Sequence, residues 1–296
     1  GEGAIVVATG VNDKITTFAS NIGTSAVRLK TLNVTSVSEK SSEGNFNGDV
    51  YVDAITLTGH DANGEVDAFF AKNAGFTTLT LDKVGGDEAT ATFDGTTAQT
   101  ITGSILGAVA GDGAISVTNT AGTVTFASAL GATKLGSVTL AASTTTVFDS
   151  TLSSATLSAS GAMTLKGAVT LTGILTTGAD STITLGSAFK DGSAPAITAA
   201  GSTTGLNQTA NTVTVNVSNQ FTTGTVTLLE NTDALDAADA ASFKVTDTAL
   251  VDYTLARSNG VVANSKLNVT ASKRTTAGIA TYLGMSTAQS AALGQI

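Results

Sequence analysis

Cysteine and tryptophan are absent from this chain, and histidine and proline occur once each in 296 residues. Without Cys there is no disulfide, no thiol nucleophile and no thiolate metal site. The single His, His60, leaves zinc without a second imidazole and leaves any Ser-His-Asp mechanism with one candidate base. It lies in TGHDANGE, a loop-like stretch where a solvated His is the competing reading. The near absence of Pro keeps strand N–H groups available for hydrogen-bonded ladders. Charged residues make up only 12%, with a net charge of -9 and a pI near 4.4, so nucleic acid phosphates would be repelled. No apolar run approaches the roughly 20 residues of a membrane-spanning helix. The aromatic girdles of a membrane barrel are also missing, with 3 Tyr and no Trp. Membrane insertion is therefore not expected.

What the chain does have is alternation. From residue 121 to 186, apolar pairs such as Val124/Phe126, Val138/Leu140, Met163/Leu165, Val169/Leu171 and Ile183/Leu185 alternate with Thr or Ser. Period two marks a strand with one buried face, and the intervening Gly, Ser and Asp are turns. Roughly one residue in five is Thr, a β-branched residue suited to strands. Apolar residues reach 42%, but only 5% of the chain is aromatic, which suits a thin core of small branched side chains. Positive mean hydropathy, +0.26, argues for an ordered chain. The unit recurs every six to ten residues or so, as the faces of a coil would. The expected fold is all-β: an elongated right-handed β-helix, or β-solenoid, with short C-terminal helices. Hairpins would give the same alternation, so a β-sandwich subunit is the alternative.

Three regions are distinguishable: residues 1–75, an irregular N-terminal β region; 76–274, the repetitive solenoid; and 275–296, a helical cap. Residues 38–48 are polar, charged and glycine-containing, and read as a surface loop. Residues 233–239 carry three Asp and read as a possible helical turn or acidic cluster. At the end, residues 276–283 and 287–293 read as two helices broken at Gly284, with Ser286 and Gln289 spaced as a capping box. Gly1 follows no signal-peptide pattern, which fits either an arbitrary chain boundary or an exported protein whose leader has been cut away.

The stretches ATFDGTTAQTITGSILGAVAGDGAISVTNTAGTVTF (91–126) and GATKLGSVTLAASTTTVFDSTLSSATL (131–157) resemble bacterial β-strand-repeat surface proteins, similar to the passenger regions of autotransporters. The segment from Thr227 to Gly284, with DYTLARSNGVVANSKLNVTASKRTTAGIATYLG, also looks like the end of such a passenger. The resemblance implies an extracellular location on the bacterial cell surface and adhesion or coat roles. The membrane barrel that anchors an autotransporter is not in this sequence, so the expectation is a released passenger, a trimmed fragment or a self-assembling relative.

Calcium is the most credible cofactor. Asp61, Asn63, Glu65 and Asp67 place oxygens at alternate positions, as a hard cation prefers. Val66 stands where an EF-hand needs Gly and Lys72 where it needs the bidentate Glu, so a solvated acidic loop competes with the ion site. The Asn-x-Ser/Thr triplets at Asn33, Asn207, Asn216 and Asn268 are expected by chance in so Thr-rich a chain. The candidate assembly residues are Ala4, Ile5, Val6, Val7 and Ala8 at one end, and Ile279, Tyr282, Leu283, Leu293 and Ile296 at the other. An apolar strand with a free edge is a template for strand addition, although a buried core strand reads the same way. The first functional expectation is a homopolymer, a fibre or surface layer joined by β-strands. The second is an adhesin passenger that binds cells or glycans. A polysaccharide-degrading enzyme is the third, and no clustered acid/base set supports it; the chain is read as a non-enzyme.

Overall fold

The computed structural model describes residues 2–8, 14–37, 40–60, 64–178, 181–200, 206–208, 213–218, 221–232, 235, 241–258 and 264–293. These residues wind into a β-solenoid of about eight turns. All strand pairings are parallel except two, both made by the strand Lys266–Lys273 near the C-terminus. Sandwich hairpins would pair antiparallel, so the sandwich alternative is overturned.

Each coil contributes to three parallel ladders. The first stacks β2 (Lys14–Phe18), β4 (Ser42–Phe46), β6 (Val66–Phe70), β8 (Ala89–Phe93) and β10 (Asp112–Val117). It continues through the second halves of β12 (Leu130–Leu140) and β14 (Leu152–Ala159) into β17 (Leu175–Thr177) and β20 (Leu206–Gln208). The second begins in the first halves of β5 (Val50–Thr58), β7 (Ala74–Asp82) and β9 (Gln99–Gly107). It runs on through β11 (Thr123–Phe126), β13 (Thr145–Phe148), β15 (Ala162–Leu165), β18 (Thr182–Leu185), β21 (Val213–Val217) and β23 (Phe243–Val245). The third joins β1 (Ala4–Ala8), β3 (Leu29–Thr35), the second halves of β5, β7 and β9, then β12, β14, β16 (Val169–Leu171), β19 (Ile197–Ala199) and β22 (Gly224–Asn231). There β25 (Lys266–Lys273) adds antiparallel to β22, and β24 (Val251–Ser258) to β25.

The long strands bend where the register shifts, and glycine permits the bend. Gly131 in β12 has φ +75, and a Cβ there would run into the Ser153 carbonyl oxygen of the next coil. Inward positions follow the alternation read from sequence. In β4, β6 and β15, for example, every second side chain is buried. Outward hydroxyls align from coil to coil, as in Ser116, Thr139, Ser158 and Thr176, each paired with the next. In-register Thr and Ser pairs stabilise a ladder, which accounts for the Thr content.

An aromatic column runs through the N-terminal half of the core. Phe18, Phe46, Phe70 and Phe93 stack with ring centroids 5.2, 5.3 and 5.5 Å apart. Strands in a sheet repeat at roughly 4.7–4.9 Å, so one ring per coil fills the interior without a gap. At Phe93 the column crosses from the first wall to the second. Phe126 meets it edge-on at 5.1 Å, and Phe148 stacks on Phe126 at 5.6 Å. A polar seam follows one corner: Asn21 Oδ1 accepts the Asp49 N–H, Asp49 Oδ1 the Asn73 N–H, and Asn73 Oδ1 the Thr100 N–H, at 2.9 to 3.1 Å.

Residues 38–48 are not simply a loop, because β4 lies inside them. Its polar Glu43 and Asn45 face out while Ser42, Gly44 and Phe46 are buried. The acidic stretch ending at Asp67 likewise runs into a strand, β6. The ladders pass residue 75 without a break, so β2 to β7 belong to the same solenoid as the strands that follow.

Candidate functional site

The two ends of the solenoid differ in how they treat their free backbone. At the N-terminal end, β1 pairs with β3 through one edge and β2 pairs with β4 through one edge. Among the described residues nothing pairs with the outer edge of either strand. In β1, Val7 is buried and Ile5 half-buried against the core, while Ala4, Val6 and Ala8 face solvent; Val6 is 64% exposed. Phe18 ends the aromatic column and is only half-buried, with a ring on one side. Beside it opens a cleft of about 530 Å³ whose apolar wall is Ile5, Phe18, Ile22 and Leu29. The sequence marked Ala4–Ala8, but it gave no warning of Phe18. The signal was the spacing of Phe46, Phe70 and Phe93, steps of 24 and 23 residues that match one coil.

At the C-terminal end the third ladder is closed, whereas β20 and β23 end the first and second ladders with no strand on their outer edges among the described residues. The β24–β25 hairpin lays Val251, Tyr253, Leu267 and Val269 over the last coil, all buried. Tyr253 stacks on Phe221 with centroids 6.3 Å apart, and its hydroxyl donates to the Phe221 carbonyl at 2.9 Å. Burial, with the Asp247 charge adding to it, pushes the Tyr253 phenol above its ordinary pKa. Side chains also occupy part of the β24 edge. Asp247 Oδ1 accepts the Tyr253 N–H at 2.7 Å, and Thr248 Oγ1 accepts the Val251 N–H at 3.1 Å. Arg274 ties this cap together, reaching Asp247 at 2.9 Å and Asp252 at 2.7 Å, with its guanidinium 4.5 Å over the Tyr282 ring.

Both predicted helices form, as α1 (Thr276–Tyr282) and α2 (Thr287–Leu293). The Ser286/Gln289 capping box is present: the Ser286 N–H donates to Gln289 Oε1 at 2.8 Å, and the Gln289 N–H to Ser286 Oγ at 3.4 Å. The strand edge is covered by the hairpin rather than by these helices, which bury only Ala280 between them. Tyr282 and Leu283 are exposed, and Ile279 and Leu293 are half-buried. Ile296 lies outside the described residues.

The proposed calcium quartet is not assembled by what is described. Asp61 and Asn63 lie outside the described residues, as do Asp233, Asp236 and Asp239. Glu65 is exposed, and Asp67 points outward from β6, where its carboxylate is hydrogen-bonded to the Thr90 side chain. Partial burial, reinforced by the Glu65 and Glu43 charges, raises the Asp67 pKa against the lowering effect of Thr90. Among the described residues no three His, Asp or Glu side chains are grouped to hold a metal ion. His60 forms an isolated bridge with Gly64 in the turn before β6. No described helix is long and apolar enough to cross a membrane.

No protein-family model, no curated protein and no solved structure matches this chain.

Proposed function

We propose that this protein is a structural component of a bacterial cell surface that self-assembles, extracellularly, into a fibre or layer through contacts between solenoid ends. The observation that carries the reading is the contrast between the ends. At one end the third ladder is capped by a hairpin and by side chains on its edge, and at the other β1 and β2 present their edges beside an apolar cleft. Open edges of this kind favour strand addition. A continuous parallel ladder through the coils also suits a load-bearing rod, since each coil is hydrogen-bonded to its neighbours along three walls.

The test is analytical ultracentrifugation and negative-stain electron microscopy of the full chain and of a variant lacking residues 2–8, each with calcium and with chelator. Concentration-dependent assembly that is lost on truncation is the expected result. A full chain that stays a monomeric rod at every concentration overturns the reading and favours an adhesin passenger, to be pursued by glycan and cell binding. Loss of assembly in chelator alone would make calcium part of the joint.

A further inference from the structure

The self-assembly reading leaves open which strand meets which, and the inference drawn here rests on that reading. We propose that two copies join N-terminal end to N-terminal end, with β1 of each antiparallel to β1 of the other and Val6 facing Val6 of the partner subunit.

Natural sheets guard an exposed edge with Lys, Pro, a bulge or an inward charge. The β1 strand, Ala-Ile-Val-Val-Ala, carries none of these and pairs with β3 in unbroken register from Ala4 to Ala8. Its order of side chains is close to palindromic. A two-fold axis at Val6 sets Ala4 opposite Ala8 and Ile5 opposite Val7 of the partner subunit. Residues opposite one another in an antiparallel pair point to the same face. The inward Ile5 and Val7 then meet inward partners and extend both cores, and the small outward Ala residues meet each other. No charge meets a like charge along the joint, so self-pairing brings no electrostatic penalty.

A head-to-tail joint that continued the third wall through β1 would need the β24 edge as its donor. There the Tyr253 and Val251 N–H groups are already taken by Asp247 and Thr248. The N-terminal edge therefore finds its complement in a second copy of itself. Such an isologous contact closes after two subunits. The building block is then a two-solenoid rod with a C-terminal end, bearing exposed Tyr282 and Leu283, at each extremity. Growth into a fibre proceeds through those outer ends, where β20 and β23 have no strand on their outer edges among the described residues, giving alternating rather than uniform polarity.

The absence of Cys makes the test direct. In V6C the only thiol in the chain lies at the two-fold axis, with Cβ atoms opposite one another at roughly 4.5–5.5 Å. That distance is within or close to the reach of a disulfide. Val109 is similarly exposed, at 63% against 64% for Val6, and sits in the turn between β9 and β10, so V109C is the control for chance collision. Under mild oxidation V6C is expected to give a disulfide-linked dimer as the main product by intact mass and non-reducing gel, and V109C is not. V6K, which sets two ammonium groups face to face, is expected to weaken dimerisation by tenfold or more while leaving the circular dichroism spectrum unchanged. Assembly that persists while V6C cross-links no better than V109C overturns the like-to-like joint and leaves the self-assembly reading standing. An unmodified chain that never associates overturns both.

Discussion

Replacing Phe70 with Ala removes the middle of the aromatic column. The ring is 1% exposed and lies between Phe46 at 5.3 Å and Phe93 at 5.5 Å. Phe-to-Ala changes in cores cost about 3–5 kcal/mol, more where the surroundings cannot collapse. Here the strands above and below are held by ladder hydrogen bonds at fixed spacing, so the upper part of that range is expected. Phe18→Ala is the internal comparison. It is half-buried with one ring partner at 5.2 Å, and about 1.5–2 kcal/mol is expected from the smaller area it buries. Phe70→Leu keeps most of the apolar area and loses two ring pairs, each worth about 0.5–1.5 kcal/mol. Coil arrays can open in parts, so a single unfolding midpoint is a weak readout. Amide hydrogen exchange, read strand by strand, is better. In F70A the amides of β4 and β8 should exchange on the order of 10³ times faster or more, at tenfold per 1.4 kcal/mol. Those of β18, several coils away, should not change. Equal effects of F18A and F70A, or unchanged exchange in β4 and β8, would refute the claim that the column holds these coils together.

Other substitutions probe separate parts of the argument. Thr146 Oγ1 is buried with no hydrogen-bond partner among the described residues, so Thr146→Val, nearly the same shape, should raise stability by about 1 kcal/mol in thermal melts; a loss would show that the hydroxyl is bonded. Gly131→Ala places a Cβ against the Ser153 carbonyl at φ +75 and should cost at least about 1–3 kcal/mol, and a neutral result would mean that β12 bends elsewhere. The raised pKa of Asp67 means that the folded chain holds this proton more tightly than the unfolded chain. Its contribution to stability therefore falls as pH rises from the ordinary value of 3.8 through the folded value. Asp67→Asn should accordingly be more stable than the parent at neutral pH, with the gain vanishing below 3.8. A gain that is the same at both extremes of a urea titration series across pH would refute the desolvation account.

Several strands and the C-terminal helices were legible because short-range signals set them. Val50–Thr58, Ala89–Phe93 and Thr145–Phe148 have the ends that alternation and flanking turn residues indicate. The capping box located the start of α2 because it depends on residues three apart. Strands β2, β4 and β6 were harder to find. Their outward positions hold Glu43, Asn45 and Asp67, so average polarity disguised them as loops, although every second residue is buried. Of the acidic quartet, Asp67 lies in β6 with Glu65 just before it, while Asp61 and Asn63 fall outside the described residues.

Sequence alone determined that this chain forms strands with one dry face, that those strands are short, and that no disulfide, thiol or paired-imidazole chemistry is open to it. Those properties depend on residue type and on separations of two to four positions. Tertiary structure decided that strands one coil apart pair in parallel, that Phe18, Phe46, Phe70 and Phe93 form one column, and that a hairpin covers the last strand of the third ladder while β1 leaves its first edge open. The coil register depends on which residues some 17 to 32 positions apart come together. Local alternation is unchanged by sliding a strand two residues, so only the packing of large rings and bent glycines against neighbouring coils selects the register.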